Sequence, residues 1–514
     1  MTTDNRPTPW LLLASPIALQ ILDYLDDSFD ACAFLQAAPD GSLDDALDAL
    51  RTLLAMDLDS LDELWPRADI APLDEAYRHD PSVVARALPL IKKIDLGFCR
   101  NSSSICHATA LPPTTAVSAY IDLDDISVRT LLGKWLPNLV DLKVVSQNER
   151  NVARIVQNDL SACHGLRALT LAQHAKITQG TFTDVLSAVV AQCPYVERIG
   201  FESTKLSLMS NGKALLAWLT RSHAHRLELH HIDFHDELCD ELATALLTST
   251  SLETIVLSGG PSLTRAMFSP SSPPLPQQLR HLTIFDYLHE YDSSSYAMAY
   301  DWDYRAPVFF LHGALGALAA KIAASRLETL ELGPHYPTNL TSVVNILPSL
   351  KTLTKLRLQE TQLTAFPPLR QLLHLEMTRM YVTDEAFASL TTLLGSSPDL
   401  VHLDLDFDGR TFWSLPPDDD VETMLRAMAH WLSHRGADCN VRLNIKTDAS
   451  ATALVAALAQ TRSSHEITFS IGAYGISLDV KEQLVAALAS SASSQSHVSS
   501  SSLYTSGLGL INES

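Results

Sequence analysis

Apolar residues recur along most of the chain with the spacing Leu-x-x-Leu-x-Leu, in which another apolar residue often replaces a leucine. The copies extend from about residue 91 to about residue 469, and successive copies start 27 to 30 residues apart between 139 and 279. Units of this length are typical of one short strand and one returning helix, and stacked units bury a continuous core. The period therefore predicts an α/β solenoid. The clear copies are Ile91–Leu96, Leu139–Val144, Leu166–Leu171, Val196–Phe201, Leu252–Leu257, Leu279–Ile284, Leu327–Leu332, Leu353–Leu358, Leu372–Met377 and Leu400–Leu405, and weaker ones begin at Ser118, Ala224, Asn440 and Ser464.

One unit near the end of this stretch predicts its helix in detail. The hydroxyl of Thr383 is placed to cap the helix N-terminus. Phe387, Leu390 and Leu394 are spaced to lie on one helical stripe that faces the sheet. Pro398 is expected to end the helix, because proline cannot continue it.

Three regions of the chain differ in pattern. Residues 1–85 carry apolar residues at helical spacing, as in Leu47, Leu50 and Leu54, and predict a small helical domain. Residues 86–488 hold the repeats. Residues 489–514 form a serine-rich tail that is too polar to pack, and we expect it to be disordered.

Composition and charge narrow the possible partners. The chain has 514 residues, of which 46% are hydrophobic, and this is ample for a core that grows by adding repeats. Its formal net charge of −22 argues against nucleic acid and against anionic membrane surfaces as partners. The 7 cysteines are scattered and odd in number, which predicts reduced thiols and no disulfide framework.

The sequence gives no sign of secretion or membrane insertion. The apolar run Trp10–Leu13 is too short for a signal peptide and leads into several aspartates. No apolar stretch approaches the roughly 18–20 residues that a membrane span needs. A cytoplasmic or nuclear location is the expectation.

The repeats as a set resemble leucine-rich repeats of the ribonuclease-inhibitor-like and cysteine-containing types. The resemblance covers about three quarters of the chain. It implies a horseshoe with parallel strands on the concave face and helices on the convex face, preceded by the small helical domain. Concave faces of such solenoids usually bind proteins.

The intervening residues of each Leu-x-x-Leu-x-Leu copy point away from the core, because side chains alternate along a strand. We expect a protein ligand to contact this face, in particular at His281, Phe285, Lys355, Arg357, Asp404 and Asp406. Other outward positions include Lys93, Asp95, Asp141, Lys143, Arg198, Glu202, Arg226, Glu228, Glu331, His374, Glu376, His402, Arg442 and Lys446.

An aromatic insertion interrupts the repeats. The copies at Leu279 and Leu327 start 48 residues apart, and the surplus falls in residues 286–310. Aromatic residues that a core does not need are enriched at binding hot spots, so the insertion is a candidate ligand contact. The alternative is that its aromatic residues fold back and pack on the solenoid edge. The candidate contacts are Tyr300, Trp302 and Tyr304.

Enzymatic and cofactor chemistry are not indicated. The sequence contains no phosphate-binding glycine loop and no nucleophile–base constellation with a local signature. The histidine- and acid-rich run from His230 to Glu237 resembles a metal site, but Asp236 and Glu237 suit a helix N-terminus and His231 is expected in a turn. We expect no metal, no cofactor and no enzymatic activity.

The segment Ser15–Asp27 resembles the first helix of an F-box, which carries a proline, an isoleucine/leucine pair, an aromatic residue and Leu-Asp. The resemblance implies docking to a ubiquitin-ligase adaptor, and thus a substrate-selecting subunit of such a ligase. Two alternatives stay open: a helical cap on the first repeat, and a leucine-rich-repeat scaffold or regulator with no ligase link. The matching positions are Pro16, Ile21, Leu22, Tyr24, Leu25 and Asp26, of which Pro16, Ile21, Leu22 and Leu25 are the candidate contacts.

Overall fold

The structure is a computed structural model. The chain divides into two compact units, Met1–Ile232 and Asp233–Ser514. The structure describes residues 15–491 apart from 26, 40, 57–63, 100–102, 123–126, 147–151, 153–154, 156–157, 174–175, 287–308, 311–314, 335–337, 379, 398, 407–438, 446–447, 450, 453–454, 457–466 and 474–475.

In the first unit, the order of the strands in the sheet is the same as their order in the sequence. The neighbouring pairs from the first strand to the sixth are parallel. The seventh strand continues the order, and its last two residues belong to the second unit. The strands are β1 (Arg67–Asp69), β2 (Lys93–Cys99), β3 (Ala116–Asp122), β4 (Leu139–Ser146), β5 (Ala168–Gln173), β6 (Arg198–Met209) and β7 (Arg226–Phe234).

Aspartates specify where several helices of the first unit begin. The Asp44 carboxylate accepts hydrogen bonds from the backbone N–H groups of Ala46 and Leu47 at 3.1 and 2.9 Å, and Asp80 caps another helix in the same way. The helices are α1 (Ser15–Leu22), α2 (Ser28–Gln36), α3 (Asp45–Leu54), α4 (Ile70–His79), α5 (Pro81–Ala87), α6 (Ser104–Ala108), α7 (Val128–Leu132), α8 (Gln179–Gln192) and α9 (Lys213–Leu219), with 3-10 turns at Leu88–Leu90, Gly133–Asn138 and Leu160–Ala162.

The second unit contains two parallel sheets. Its larger sheet consists of β8 (Thr254–Ser258), β9 (His281–Phe285), β10 (Thr329–Gly333), β12 (Lys355–Gln359), β14 (His374–Thr378), β16 (His402–Asp406), β17 (Cys439–Ile445) and β18 (Ile467–Ala473), hydrogen-bonded in that order. A smaller sheet consists of β11 (Thr338–Asn339), β13 (Thr361–Leu363) and β15 (Tyr381–Val382).

The helix predicted near the end of the repeats is present in the second unit. Thr383 caps it, because its Oγ1 accepts a hydrogen bond from the backbone N–H of Ala386 at 3.4 Å. Leu390 and Leu394 are each 1% exposed, so the predicted buried stripe is confirmed at these two positions. The helices of this unit are α10 (Asp236–Thr248), α11 (Pro261–Met267), α12 (Leu315–Ala323), α13 (Thr341–Val344), α14 (Asp384–Ser396) and α15 (Leu478–Ser491), with a 3-10 turn at Leu347–Ser349.

Leucines of the repeat pattern form the core. The first position of every clear copy is at most 2% exposed, and the fourth position is equally inaccessible in most of them. Burying a leucine side chain contributes roughly 1.5–3 kcal/mol relative to leaving it exposed, so the repeated pattern stabilises the fold at every copy. The prediction of an α/β fold built on parallel strands is confirmed.

Two boundaries and one sheet differ from the sequence-based prediction. The sheet begins with β1 inside the region predicted to be helical (1–85), because three residues are too few to show a strand period. Helix α15 extends to Ser491, beyond the expected solenoid end at 488, since the alanines that precede the serines favour helix. The small second sheet was not predicted, because its strands have only two or three residues.

Candidate functional site

The outward residues of β9, β10, β12, β14 and β16 lie in rows across the larger sheet of the second unit. Parallel pairing aligns them strand by strand. We call this surface the second-unit face. Its first row is His281, Thr329, Lys355, His374 and His402, its second row is Thr283, Glu331, Arg357, Glu376 and Asp404, and its third row is Phe285, Gly333, Gln359, Thr378 and Asp406.

Charged residues in the middle of this face form a network. The ammonium nitrogen of Lys355 lies 3.4 Å from a carboxylate oxygen of Glu331 and 3.3 Å from one of Glu376. The guanidinium Nε of Arg357 lies 3.4 Å from the second oxygen of Glu376. All four side chains are half-buried. A partner that contacts them must match an ordered pattern of opposite charges, which favours specificity over affinity.

Phe285 and Arg357, both candidate contacts, are in contact with each other. Phe285 is only 6% exposed, since its ring lies against Gly333 on the neighbouring strand. A Cβ atom at position 333 would be 2.1 Å from the ring, so glycine is required there. The Arg357 guanidinium lies 5.7 Å from the ring centroid, a cation–π distance. Phe285 therefore supports the face and offers a partner little surface.

Two histidine rings lie next to each other, tilted by 39°, on the second-unit face. The ring centroids of His374 and His402 are 5.8 Å apart. Burial lowers the pKa of His374 below its ordinary value, and the neighbouring His402 and Lys355 lower it further. The face therefore carries a neutral imidazole at His374 at neutral pH.

The remaining candidates of this unit are described only in part. Asp404 is half-buried, whereas Asp406 lies in β16 with its side chain outside the described residues. Tyr300, Trp302 and Tyr304 also lie outside the described residues. Near the ends of the insertion, the Asp286 carboxylate accepts a hydrogen bond from the Phe309 N–H at 2.9 Å, and the buried Phe309 contacts Phe268 and Phe310.

An exposed aromatic pair lies on the sheet of the first unit and was missed in the sequence. The rings of Phe98 and Tyr120 are 4.9 Å apart and are 48% and 36% exposed. The Lys143 ammonium nitrogen lies 5.6 Å from the centroid of Tyr120. Strand alternation around the apolar residues Ala119 and Ile121 would have predicted an outward Tyr120. The copy that begins at Ser118 matches the repeat pattern only weakly, so its outward residues were not predicted.

We call the surface formed by the outward residues of β2 to β7 the first-unit face. Ion pairs lie on this face together with the aromatic pair. The Lys143 ammonium donates hydrogen bonds to both oxygens of Glu202 at 3.0 and 2.9 Å. Arg198 pairs with Asp141 at 3.1 Å. These four positions were predicted to point outward, and their half-buried or exposed state agrees with that prediction.

Several residues of the run from His230 to Glu237 have structural roles. Asp236 and Glu237 begin α10, as predicted. His231 lies within β7 at a φ of 54° and is buried, with its Nδ1 2.5 Å from the carbonyl oxygen of Ser203. Asp233 is 2% exposed and accepts hydrogen bonds from the first N–H groups of α11.

The N-terminal candidates divide between the domain core and its surface. Leu22 is 0% exposed, and Ile21 and Leu25 are half-buried. Pro16 lies in α1, and its side chain is outside the described residues. Leu22 therefore stabilises the domain and has no surface for a partner. The large apolar side chains that are exposed in this region are Ile17, Tyr24 and Phe29, at 47%, 86% and 60%.

No protein-family model and no curated protein matches this chain in sequence comparisons. Within the described part of the chain, no helix is both long enough and apolar enough to span a membrane.

Proposed function

We propose that this chain is a non-enzymatic leucine-rich-repeat protein that recognises another protein on the strand face of its solenoid. In this proposal the strands line the concave side of a horseshoe, and the N-terminal domain docks to a ubiquitin-ligase adaptor, so that the chain selects the substrate of the ligase. The second-unit face carries the argument. The leucines of the five strands that form this face are buried on the opposite side of the sheet. The residues that alternate with them place charged side chains and histidines in ordered rows on the face, and most of these side chains are half-buried.

The charge of the chain favours a basic ligand segment. Lys355 and Arg357 on the second-unit face are both already paired with carboxylates, and the whole chain has a net charge of −22. The insertion 286–310 adds Asp286, Glu290, Asp292, Asp301 and Asp303 against Arg305 alone. Complementary charge would raise the association rate and orient the ligand.

The ligand contact is tested at the aromatic insertion. Trp302→Ala and Tyr300→Ala are expected to weaken ligand binding by about 2 kcal/mol or more, which is typical of aromatic hot spots. The measurement is the dissociation constant for a ligand found by proximity labelling with the full chain. Tyr195→Ala, at a tyrosine that is 63% exposed on the first unit, is the matched control and should leave affinity unchanged. Loss of thermal stability with unchanged affinity would mean that the insertion only packs on its own fold.

The adaptor contact is tested with the exposed side chains of the N-terminal domain. A variant that combines Tyr24→Ala and Phe29→Ala should lose binding to a purified F-box-binding adaptor while its thermal midpoint stays unchanged. Ile21→Ala should weaken the same contact partly, because Ile21 is half-buried. Leu22→Ala is expected to destabilise the domain by roughly 2–5 kcal/mol instead. If the wild-type chain does not bind the adaptor, the ligase link is wrong.

The second candidate function is a scaffold or regulator without a ligase link. Its specific support is the N-terminal packing. Leu22 is buried, and the indole N–H of Trp65 donates a hydrogen bond to the Leu25 carbonyl at 3.0 Å. Two of the four predicted adaptor contacts therefore take part in the packing of their own domain. The adaptor experiment separates the two candidates.

A further inference from the structure

Three side chains of types that can bind metal ions converge on the first-unit face. One of them, His230, begins the run His230–Glu237, for which the sequence predicted no metal, and the other two lie outside that run. Glu228 and His230 are two residues apart on β7 and therefore point to the same side of the sheet. Glu202 comes from the neighbouring strand β6. One donor atom from each of the three lies within 4.8 Å of the other two. We propose that these residues bind a divalent transition-metal ion, with zinc as the reference ion.

The ligand set fits zinc better than calcium or magnesium. An imidazole nitrogen with two carboxylate oxygens suits zinc, whereas calcium and magnesium prefer oxygen ligands alone. Donor atoms in a tetrahedral zinc site are roughly 3.5 Å apart for bonds of about 2.1 Å. Rotation of the two glutamate side chains would close the remaining distance. Three protein ligands leave a fourth position for water or a donor from another molecule.

His230 supplies the observation that points to a ligand. Its Nδ1 is buried and makes no hydrogen bond in the described part of the chain. Its Nε2 is 3.8 Å from a Glu228 oxygen, which is too far for a hydrogen bond. A polar nitrogen that is withdrawn from water without a partner destabilises the folded chain, and coordination of an ion through Nδ1 would give that nitrogen its missing partner.

A contact between β6 and β7 next to the proposed ligands fixes the backbone of the site. The side chain of His231 on β7 contacts the carbonyl oxygen of Ser203 on β6, directly beside Glu202 and His230. The exposed fractions of the His230, Glu228 and Glu202 side chains are 16%, 20% and 26%. The site is thus shielded but still open to an ion from solution. Ligands on paired strands lose little freedom on binding, which favours a defined geometry.

Two cations compete with the proposed ion. Lys143 pairs with Glu202, and Arg226 pairs with Glu228. A divalent ion must displace the Lys143 ammonium from Glu202. That ammonium already lies near the ring of Tyr120, which offers it a second stabilising contact. The proposal therefore predicts that removing the Lys143 charge strengthens metal binding.

The test is calorimetric titration of the chelator-treated full chain with zinc. His230→Ala and Glu202→Gln should each weaken one zinc site at least tenfold, and Lys143→Gln should tighten the same site. The matched control is the double variant His374→Ala with Glu376→Gln. It removes the same residue types at the same two-residue spacing from β14 and should leave that site intact. Thermal midpoints without metal establish that each variant is folded.

Cobalt as the probe distinguishes this site from the cysteines. Cobalt bound by His230 and the two glutamates should give d–d absorption without thiolate-to-metal charge transfer, and the d–d bands should disappear in His230→Ala. The proposal is overturned if zinc affinity is unchanged in both ligand variants, if Lys143→Gln weakens binding, or if charge-transfer bands show that cysteines hold the metal. Metal binding does not depend on the proposed protein recognition, so neither result decides the other.

Discussion

At the residue scale, burial determines the chemistry of several groups. Burial raises the pKa of the Cys163 thiol to about 12 and that of the Cys193 thiol to about 11. Both thiols are free, and only the thiolate form of cysteine is nucleophilic. These two cysteines therefore belong to the core.

His374 makes stability depend on pH. Its folded-state pKa lies below the unfolded value of about 6.5, so on acidification the unfolded chain takes up a proton first. The stability contributed by neutral His374 is present above about pH 6.5 and is lost as pH falls below it. His374→Gln should reduce this loss, as measured by denaturant unfolding across that range.

The resonances of His374 give a direct check of the same prediction. Its imidazole should titrate below 6.5 in the folded protein by NMR, and Lys355→Met should raise that pKa, because the neighbouring positive charge is removed. A titration at or above 6.5 would contradict the assignment.

At the element scale, capping by side chains connects one repeat to another. Asp233 near the end of β7 caps α11, which begins 28 residues later, through hydrogen bonds of 3.1 Å to Ser262 and Leu263. Asp159 accepts a hydrogen bond from Val128 at the start of α7, again at 3.1 Å. Each cap satisfies backbone N–H groups that a helix leaves unpaired. Loss of one cap therefore weakens the contact between repeats as well as one helix.

Thr383 offers a local version of this test. Thr383→Ala should destabilise α14 by about 1 kcal/mol, because it removes the N-cap hydrogen bond. Hydrogen exchange of the α14 amides and the thermal midpoint measure the effect. The control is Thr392→Ala in the same helix, an exposed residue that does not cap the helix N-terminus. Equal destabilisation by both variants would show that the cap contributes nothing specific.

At the scale of the whole molecule, we expect stability to be approximately the sum of the stabilities of single repeats and of the contacts between neighbouring repeats. Each strand of the larger sheet in the second unit pairs with its neighbours in sheet order, and helices of successive repeats contact one another, as α10 and α11 do. Segments outside this stacking should contribute little to stability.

The serine-rich tail tests that expectation. Deleting residues 492–514, which lie outside the described residues, should leave the thermal midpoint within about one or two degrees. A larger decrease would mean that Leu503, Tyr504, Leu508 and Leu510 stabilise the last repeat. Differential scanning calorimetry of the full and shortened chains distinguishes the two outcomes.

The sequence by itself determined the repeated architecture. The buried positions of Leu-x-x-Leu-x-Leu and the helix around Leu390 were predictable, because a strand and a helix each impose a local period on apolar residues. The outward direction of Lys143, Lys355 and Arg357 followed from the same alternation.

Only the tertiary structure decided which outward residues meet. Glu202 lies 26 residues before Glu228, and Phe98 lies 22 residues before Tyr120, so the proximity within each pair has no local signature in the sequence. Strand register brings each pair together, and register depends on the packing of whole repeats. Burial likewise depends on distant partners, which is why Leu22 and Phe285 were predicted as contacts but are almost inaccessible. Periodicity is a local property, whereas a site is formed by residues that packing brings together.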